Sequence, residues 1–558
     1  MVYNKNVNKN QFPNCSRGEI MKRIAIIDLG SNSIRFIIIE VESNGAYKLI
    51  YQEKKSIRLA EGMSPSSRLL SEEAQMRALR CLAVYAGIIK VQQVDKVLAV
   101  ATAAVRNALN GASFLRRVHL STGIPMTIIS GQKEASLGVS GVLHTIDASD
   151  FLLFDLGGAS VEISLIRNKK RLHSVSIPVG AVTLTEKFHS EDTVTKEQAE
   201  EIGKYISRLL DKIAWFPEEP IPVIGVGGTI RNLAKIDQRA SVYPLHKLHN
   251  YQLPSKNLFA IVDMLCGKTR DERLKISGLS TERADIIIAG SLAVREIVKR
   301  ARAPYLIISG CGLREGLFFH YYDSLYRQEP KGEKNMLLDS VRNYQRTLAP
   351  HDTLHTQYVT LMALSLFDQW AKRHQLPQRL RHVLAAAGYL HDVGTLINYY
   401  SHARHSAYMV ANAHIFGWTH REQLMAALVC AFHHGYSGKM MKSFPHTCLL
   451  TEEDVRQVKI LSLFLALAEA LDENREHCIT RLICADRKKA MDLRIYTSSD
   501  NFDVPAHAVN HLLKDFEKSF GIPLLIQWFP GTKGKNEILE KAKRLCAADA
   551  AVPESVHS

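Results

Sequence analysis

The sequence predicts an α/β protein made of two similar halves, followed by an all-α region and a small α+β tail. Three observations predict it. One short pattern occurs around Asp28 and again around Asp155. Strand-like and helix-like segments alternate as far as residue 322, which implies packed α/β layers. Beyond that point the chain becomes rich in His and Ala and reads as amphipathic helices with few strand signals.

The first copy of the pattern runs Ile-Ala-Ile-Ile-Asp28-Leu-Gly30-Ser31-Asn32-Ser33-Ile-Arg35-Phe. The second runs Phe-Leu-Leu-Phe-Asp155-Leu-Gly157-Gly158-Ala159-Ser160-Val161-Glu162-Ile. Apolar runs on either side of a Gly-containing bend read as paired strands joined by a tight turn. Small residues at the bend let a ligand approach the backbone, where successive N–H groups can hold an anion. An Asp at the strand end adds a carboxylate suited to Mg²⁺. One copy alone would read as an ordinary Asp-Gly hairpin. Two matched copies point to a phosphate held between similar half-domains.

In the first half a further strand is expected near residues 50–59 and a helix from Glu72 to Lys90. Strand Lys96–Ala101, helix Ser113–His119 and strand Met126–Ile129 follow. The second half repeats the theme with paired strands, helix Lys196–Trp215 and strand Val223–Val226, which ends in Gly227-Gly228-Thr229. Strand Tyr305–Ser309 ends in Gly310-Cys-Gly312, opening a helix. Residues 329–335 are polar and helix-breaking, the best linker candidate. The tail returns to strands at Met491–Thr497 and Pro523–Trp528, around a helix near His507–Phe520. The expected division is a disordered extension at 1–20, half-domains at 21–145 and 146–328, helices at 336–485 and the tail at 486–558.

At 558 residues the chain is too long for one core. No apolar stretch approaches the roughly 18–20 residues that span a bilayer, and residues 1–20 lack the apolar core of a secretory signal. Nine cysteines without a paired spacing suit reduced thiols in a cytoplasmic protein. A formal charge of +15 favours an anionic partner, although small clusters such as Lys169-Lys170-Arg171 are usually solvated faces.

Six segments in order resemble the exopolyphosphatase and guanosine pentaphosphate phosphohydrolase family: Asp28–Ser33, Ala101–Arg106, Ile129–Glu134, Asp155–Glu162, Gly225–Thr229 and Gly312–Gly316. The resemblance covers residues 21 to about 322 and implies a duplicated actin/hexokinase/Hsp70-like (ribonuclease H-like) fold. It implies Glu134 as the base that activates water, with Arg106 as a cationic clamp on phosphate. Asp155 and Glu162 would hold Mg²⁺. Gly30, Ser31, Asn32, Ser33, Gly157, Gly158 and Ser160 would hold phosphate oxygens, and Gly227, Gly228 and Thr229 would form a third loop or closing wall. The chain departs from the family pattern at Ala159 and Val161, where Gly and Thr are usual, and at Lys133, where Glu is common. These departures bear on substrate preference and rate.

Each residue also has a plainer reading. Glu134 would suit the first turn of a helix, Asp155 a turn cap, Glu162 an exposed strand position, and Arg106 a solvated surface. The helical region presents His355, His391-Asp392, His433-His434 and Asp472, an order that resembles the HD superfamily. Imidazoles with carboxylates suit a second divalent metal there, held by His355, His391, Asp392, His433 and Asp472, with His405 as a possible addition from the His402–His405 stretch.

The resulting expectation is a cytoplasmic, Mg²⁺-dependent exopolyphosphatase, expected as a homodimer, with no membrane and no specific nucleic acid as partner. Guanosine pentaphosphate is the alternative substrate. The core motifs do not separate the two, but the positive charge leans toward the longer polyanion. A nucleotide-dependent kinase or switch would differ by requiring an acceptor for phosphate transfer. An HD-only phosphohydrolase, with the front half as a phosphate sensor, would lose activity with Asp392→Ala and keep it with Glu134→Gln.

Overall fold

The computed structural model describes residues 22–63, 68–326, 335–348, 353–531 and 535–550. The extension expected at 1–20 and nearly all of the linker expected at 329–335 lie outside the described residues.

The first half is a five-stranded sheet of β1 (Lys22–Leu29), β2 (Ser33–Val41), β3 (Tyr47–Ser56), β4 (Lys96–Ala101) and β5 (Met126–Ile128). Its spatial order is β3-β2-β1-β4-β5. The second half contains β6 (Phe151–Leu156), β7 (Val161–Arg167), β8 (Lys170–Ile177), β9 (Val223–Gly227), β10 (Tyr251–Pro254) and β11 (Tyr305–Ile308). Read from β8 its order is β8-β7-β6-β9-β11, with β10 added at the edge. The two orders are the same, three antiparallel strands followed by parallel ones. This duplication is the actin/hexokinase-like fold that the resemblance implied.

The paired strands form where expected because both faces of β1, β2, β6 and β7 are covered. Their near-continuous Ile, Leu, Val and Phe runs are buried almost throughout. The expected helix to Trp215 ends at Leu210, before Trp215-Phe216-Pro217, since the residue preceding a proline is biased out of helix. Glu134 lies in the first turn of helix Gly131–Leu143, where its plainer reading put it, and the N-cap Ser130 accepts from the Lys133 N–H. That helix packs closely on helix Leu313–Tyr326. A Cβ at Gly316 would stand 1.9 Å from the Leu137 carbonyl oxygen, so glycine there sets how near the two helices come.

Met336–Leu348 and the segment from Thr353 to Ala470 are mainly helical, as expected, and no helix among the described residues is long and apolar enough to cross a membrane. The tail holds β12 (Ile479–Asp486), β13 (Met491–Thr497) and β14 (Leu524–Phe529), ordered β12-β13-β14. Strand β12 was not foreseen and runs across the expected 485/486 boundary. Its side chains Ile479 and Leu482 join Met491, Leu493, Phe516 and Leu524 in one core with Trp370, Phe367 and Phe464 of the helices. The single helix expected near His507–Phe520 is two, Asp503–Asn510 and Leu513–Phe520.

The helical region is tied to both halves. Asn343 exchanges two hydrogen bonds with the Tyr47 backbone, and Phe416 enters an apolar cluster with Ile24, Ile26 and Phe318. On the other side Lys247 donates to the Ala411 and Ala413 carbonyls, and Asn250 donates to the Trp418 carbonyl.

Candidate active site between the two halves

The two turns that end β1 and β6 face one narrow cleft. Each is closed by the same bond: the Gly30 N–H donates to Ser33 O at 3.1 Å, and the Gly157 N–H to Ser160 O at 2.9 Å. Asp28 pairs across the strands with Arg35, and Asp155 pairs with Glu162, so the duplicated backbone carries opposite charges at one register position.

The cleft, about 80 Å³, is lined by Gly30, Ser31, Asn32 and Ser33 from one turn and by Gly157, Gly158 and Ser160 from the other. Asp28, Glu134, Asp155 and Glu162 supply carboxylates, Gly227 and Gly228 form a wall, and Arg35 and Arg283 bring guanidinium groups. Thr229 does not line the cleft. It is fully buried, and its Oγ1 accepts from Arg283. A Cβ at Gly228 would stand 1.9 Å from a guanidinium nitrogen of Arg283, so glycine at this place makes room for the arginine.

Burying carboxylates without a cation raises their proton affinity. Burial lifts Glu134 to about 8, with the charge of Glu162 adding and Arg106 opposing. Burial and then Asp155 lift Glu162 to about 7. Asp155 rises to about 6 through burial, against the pull of Arg35, and Asp28 is also raised by burial. Burial and three neighbouring arginines (Arg35, Arg314 and Arg283) lower Arg231 to about 9. Arg283 falls to about 10 through burial and Arg35. Carboxylates in want of a cation and arginines in want of an anion therefore share one cleft.

Arg106 donates to Glu134 Oε2 at 2.8 Å and to the Ile129 carbonyl at 3.0 Å, so it holds the proposed base rather than lying free on the surface. Glu162, read plainly as an exposed strand residue, is buried and accepts from Ser176 Oγ at 2.8 Å. The Asn32 amide nitrogen is buried with no hydrogen-bond partner among the described residues. An unmatched buried donor beside guanidinium groups suits a phosphate oxygen. The oxygen donors of Asp155 and Glu162 suit Mg²⁺.

Sequence reasoning passed over Arg35, Arg231 and Arg283. Arg35 had a signal, since it stands seven residues after Asp28 as Glu162 stands seven after Asp155. Arg283 comes from a distant 3₁₀ turn, Thr281–Arg283, with no local signature.

In the helical region His355, His391 and His433 are fully buried around Asp392. Asp472 lies behind His355, accepting from its Nδ1 at 2.8 Å, while Glu469, one helical turn earlier, faces the Nε2 atoms of His355 and His391 at 3.1 and 3.0 Å. His402 joins the cluster, and His405 does not. Burial lowers His355, but Asp472 and Glu469 outweigh it and lift it to about 10, whereas burial takes His433 down to about 3.

A duplicated fold with small-residue turns, carboxylates and arginines on one cleft suits a protein that handles phosphate-containing substrates. The comparisons with known proteins specify it. A model of the Ppx/GppA phosphatase family matches residues 37–325, and that of the family's domain III matches residues 339–514. The chain belongs to the Ppx/GppA phosphatase family. A crystal structure of an exopolyphosphatase from Cytophaga hutchinsonii is 26% identical, covering 54% of this chain and 98% of that one, with a TM-score of 0.50. The Aquifex aeolicus member of the family is 27% identical over 54% of this chain and 98% of its own, with a TM-score of 0.47.

Proposed function

We propose that the chain is an exopolyphosphatase that releases orthophosphate from the end of inorganic polyphosphate. The observation that carries this reading is the meeting of four buried or half-buried carboxylates with Arg35, Arg283 and the unmatched Asn32 amide on one cleft. In the hydrolysis, a water oxygen bonds to the terminal phosphorus while the anhydride P–O bond breaks, and the electron pair leaves on the shortened chain. Glu134 takes the proton that the water gives up. A Mg²⁺ ion held by Asp155 and Glu162 would neutralise charge on the terminal phosphoryl group. Such a cation would also offset the burial and the Glu162 charge that raise the proton affinity of Glu134, so that it acts as a base near neutral pH. Arg35 and Arg283 would clamp phosphate oxygens, with Asn32 donating from the turn. The formal charge of +15 supports a long polyanion over a nucleotide.

The test is orthophosphate release from long-chain polyphosphate and, separately, from guanosine pentaphosphate, with Mg²⁺ and no acceptor. Polyphosphate is expected to be the faster substrate, with Glu134→Gln slower by about 10²–10⁴-fold. Faster release from guanosine pentaphosphate would move the reading to that substrate. Full activity in Glu134→Gln together with loss in Asp392→Ala would move it to the helical region.

A further inference from the structure

Two ion pairs cross directly from one half to the other. Lys54 of β3 donates to Glu282 at 2.8 Å, and Arg58, just past β3, pairs with Asp285 at 2.8 Å. The bond from Lys54 holds Glu282 below the usual carboxylate range, so this pair is ionised. Partly exposed pairs of this kind usually contribute little to stability. What sets these two apart is what they flank.

Glu282 and Asp285 stand on either side of Arg283, whose 3₁₀ turn Thr281–Arg283 brings it to the cleft. On the facing half, the segment that carries Arg58 is bonded to the turn after β1. The Ile57 and Arg58 N–H groups both donate to the Asn32 carbonyl, at 3.0 and 2.9 Å, and the Ala60 N–H donates to the Ser31 carbonyl at 3.0 Å. Arg58 has φ +48°, a left-handed conformation that persists in a non-glycine residue where its surroundings fix it. A cavity of about 170 Å³, lined by Ser31, Asn32, Arg58 and Asp285 among others, lies beside the second pair. At this place the halves therefore meet through an ion pair rather than through close packing. One oxygen of Asp285, Oδ1, is buried without a hydrogen-bond partner among the described residues, so Arg58 is its carboxylate's tie to the first half.

We propose that Lys54–Glu282 and Arg58–Asp285 form a clasp across the cleft, which sets the spacing between Arg283 and the Asn32 turn and makes these four side chains positioning residues for the bound phosphate chain. The inference rests on the cleft reading, in which Arg283 and Asn32 hold phosphate. It also carries a sign of its own. Neutralising a carboxylate beside an anion-binding cleft should, through the field alone, favour a polyanion. If the carboxylates act by holding Arg283 in place, neutralising them should weaken binding instead.

The experiment compares the full-length wild type with the double variant Glu282→Gln, Asp285→Asn. Orthophosphate release from long-chain polyphosphate with Mg²⁺ should fall about three- to tenfold in kcat/KM, with KM raised and kcat near that of wild type. Hydrogen exchange read by mass spectrometry, without substrate, should be faster in the variant over residues 281–286 and 57–60, which the clasp holds together. A kcat/KM equal to or above that of wild type, or exchange in both segments at the wild-type rate, overturns the clasp. If wild type releases no orthophosphate, the cleft reading fails, and the exchange rates alone decide whether the clasp exists. If the double variant fails to fold, Glu282→Gln alone, at an exposed position, carries the same two measurements.

Discussion

The turn after β1 and the turn after β6 share their length, their Asp and the hydrogen bond that closes them, yet seven residues after the Asp one carries Arg35 and the other Glu162. The duplicated backbone sets where a group is delivered, and the side chain at that position sets which partner it takes. In the first half the cleft is offered a guanidinium, and in the second a carboxylate. On the proposed reading, a phosphate–cation complex would sit between the halves because their equivalent positions, Arg35 and Glu162, are complementary in charge.

The most direct way to break this asymmetry is Glu162→Arg, which makes both turns cationic. Removing a cation site that supplies several kcal/mol should lower the rate of phosphate release by about 10³-fold or more, and raising Mg²⁺ should not restore it. Arg35→Ala removes the other side of the comparison. Losing a charge-assisted contact to phosphate should lower kcat/KM about 10- to 100-fold, mainly through KM, in initial-rate measurements over polyphosphate concentration. Asn32→Ala removes a neutral donor from the same turn and should cost less, about three- to tenfold in kcat/KM.

The smallest expected effect is on stability, and its sign distinguishes the two turns. Glu162 has a proton affinity raised to about 7 in the fold, above the usual carboxylate value of 4.5. The native chain therefore holds a proton there that the unfolded chain releases between those values, so this contribution to stability is lost as pH rises through about 7. Without metal, Glu162→Gln should be more stable than wild type at pH 8 by on the order of 1 kcal/mol, and the gap should close toward pH 5. Thermal melts in chelator read both points. Adding Mg²⁺ should raise the wild-type melting temperature and leave the variant unmoved.

The duplication was legible because its signals are local: an Asp, a bend of small residues and apolar runs that two covered faces demand. Glu134 and Glu162 were legible only through the family resemblance, because burial of a lone carboxylate is a property of the packed molecule. The order His355, His391-Asp392, His433 drew attention to the helical cluster, but the sequence reading took Asp472 and passed over Glu469, and offered His405 where His402 joins the cluster. His402 and His405 lie on one helix, whereas Glu469 ends helix Glu452–Ala470 and Asp472 lies just past it, so packing decides which of them faces the histidines. Strand β12 was hidden by Arg481, Cys484 and Asp486, which interrupt its apolar pattern on a partly exposed face.

Asn343 grips the Tyr47 backbone of the first half, and Lys247 and Asn250 of the second half grip the stretch from Ala411 to Trp418. The helical region is thereby bolted to both plates of a hinge whose gap is the cleft. Any swing of one plate away from the other must shear these attachments or drag the whole helical body with it. Wide opening of the gap would break hydrogen bonds on at least one side of the helical region.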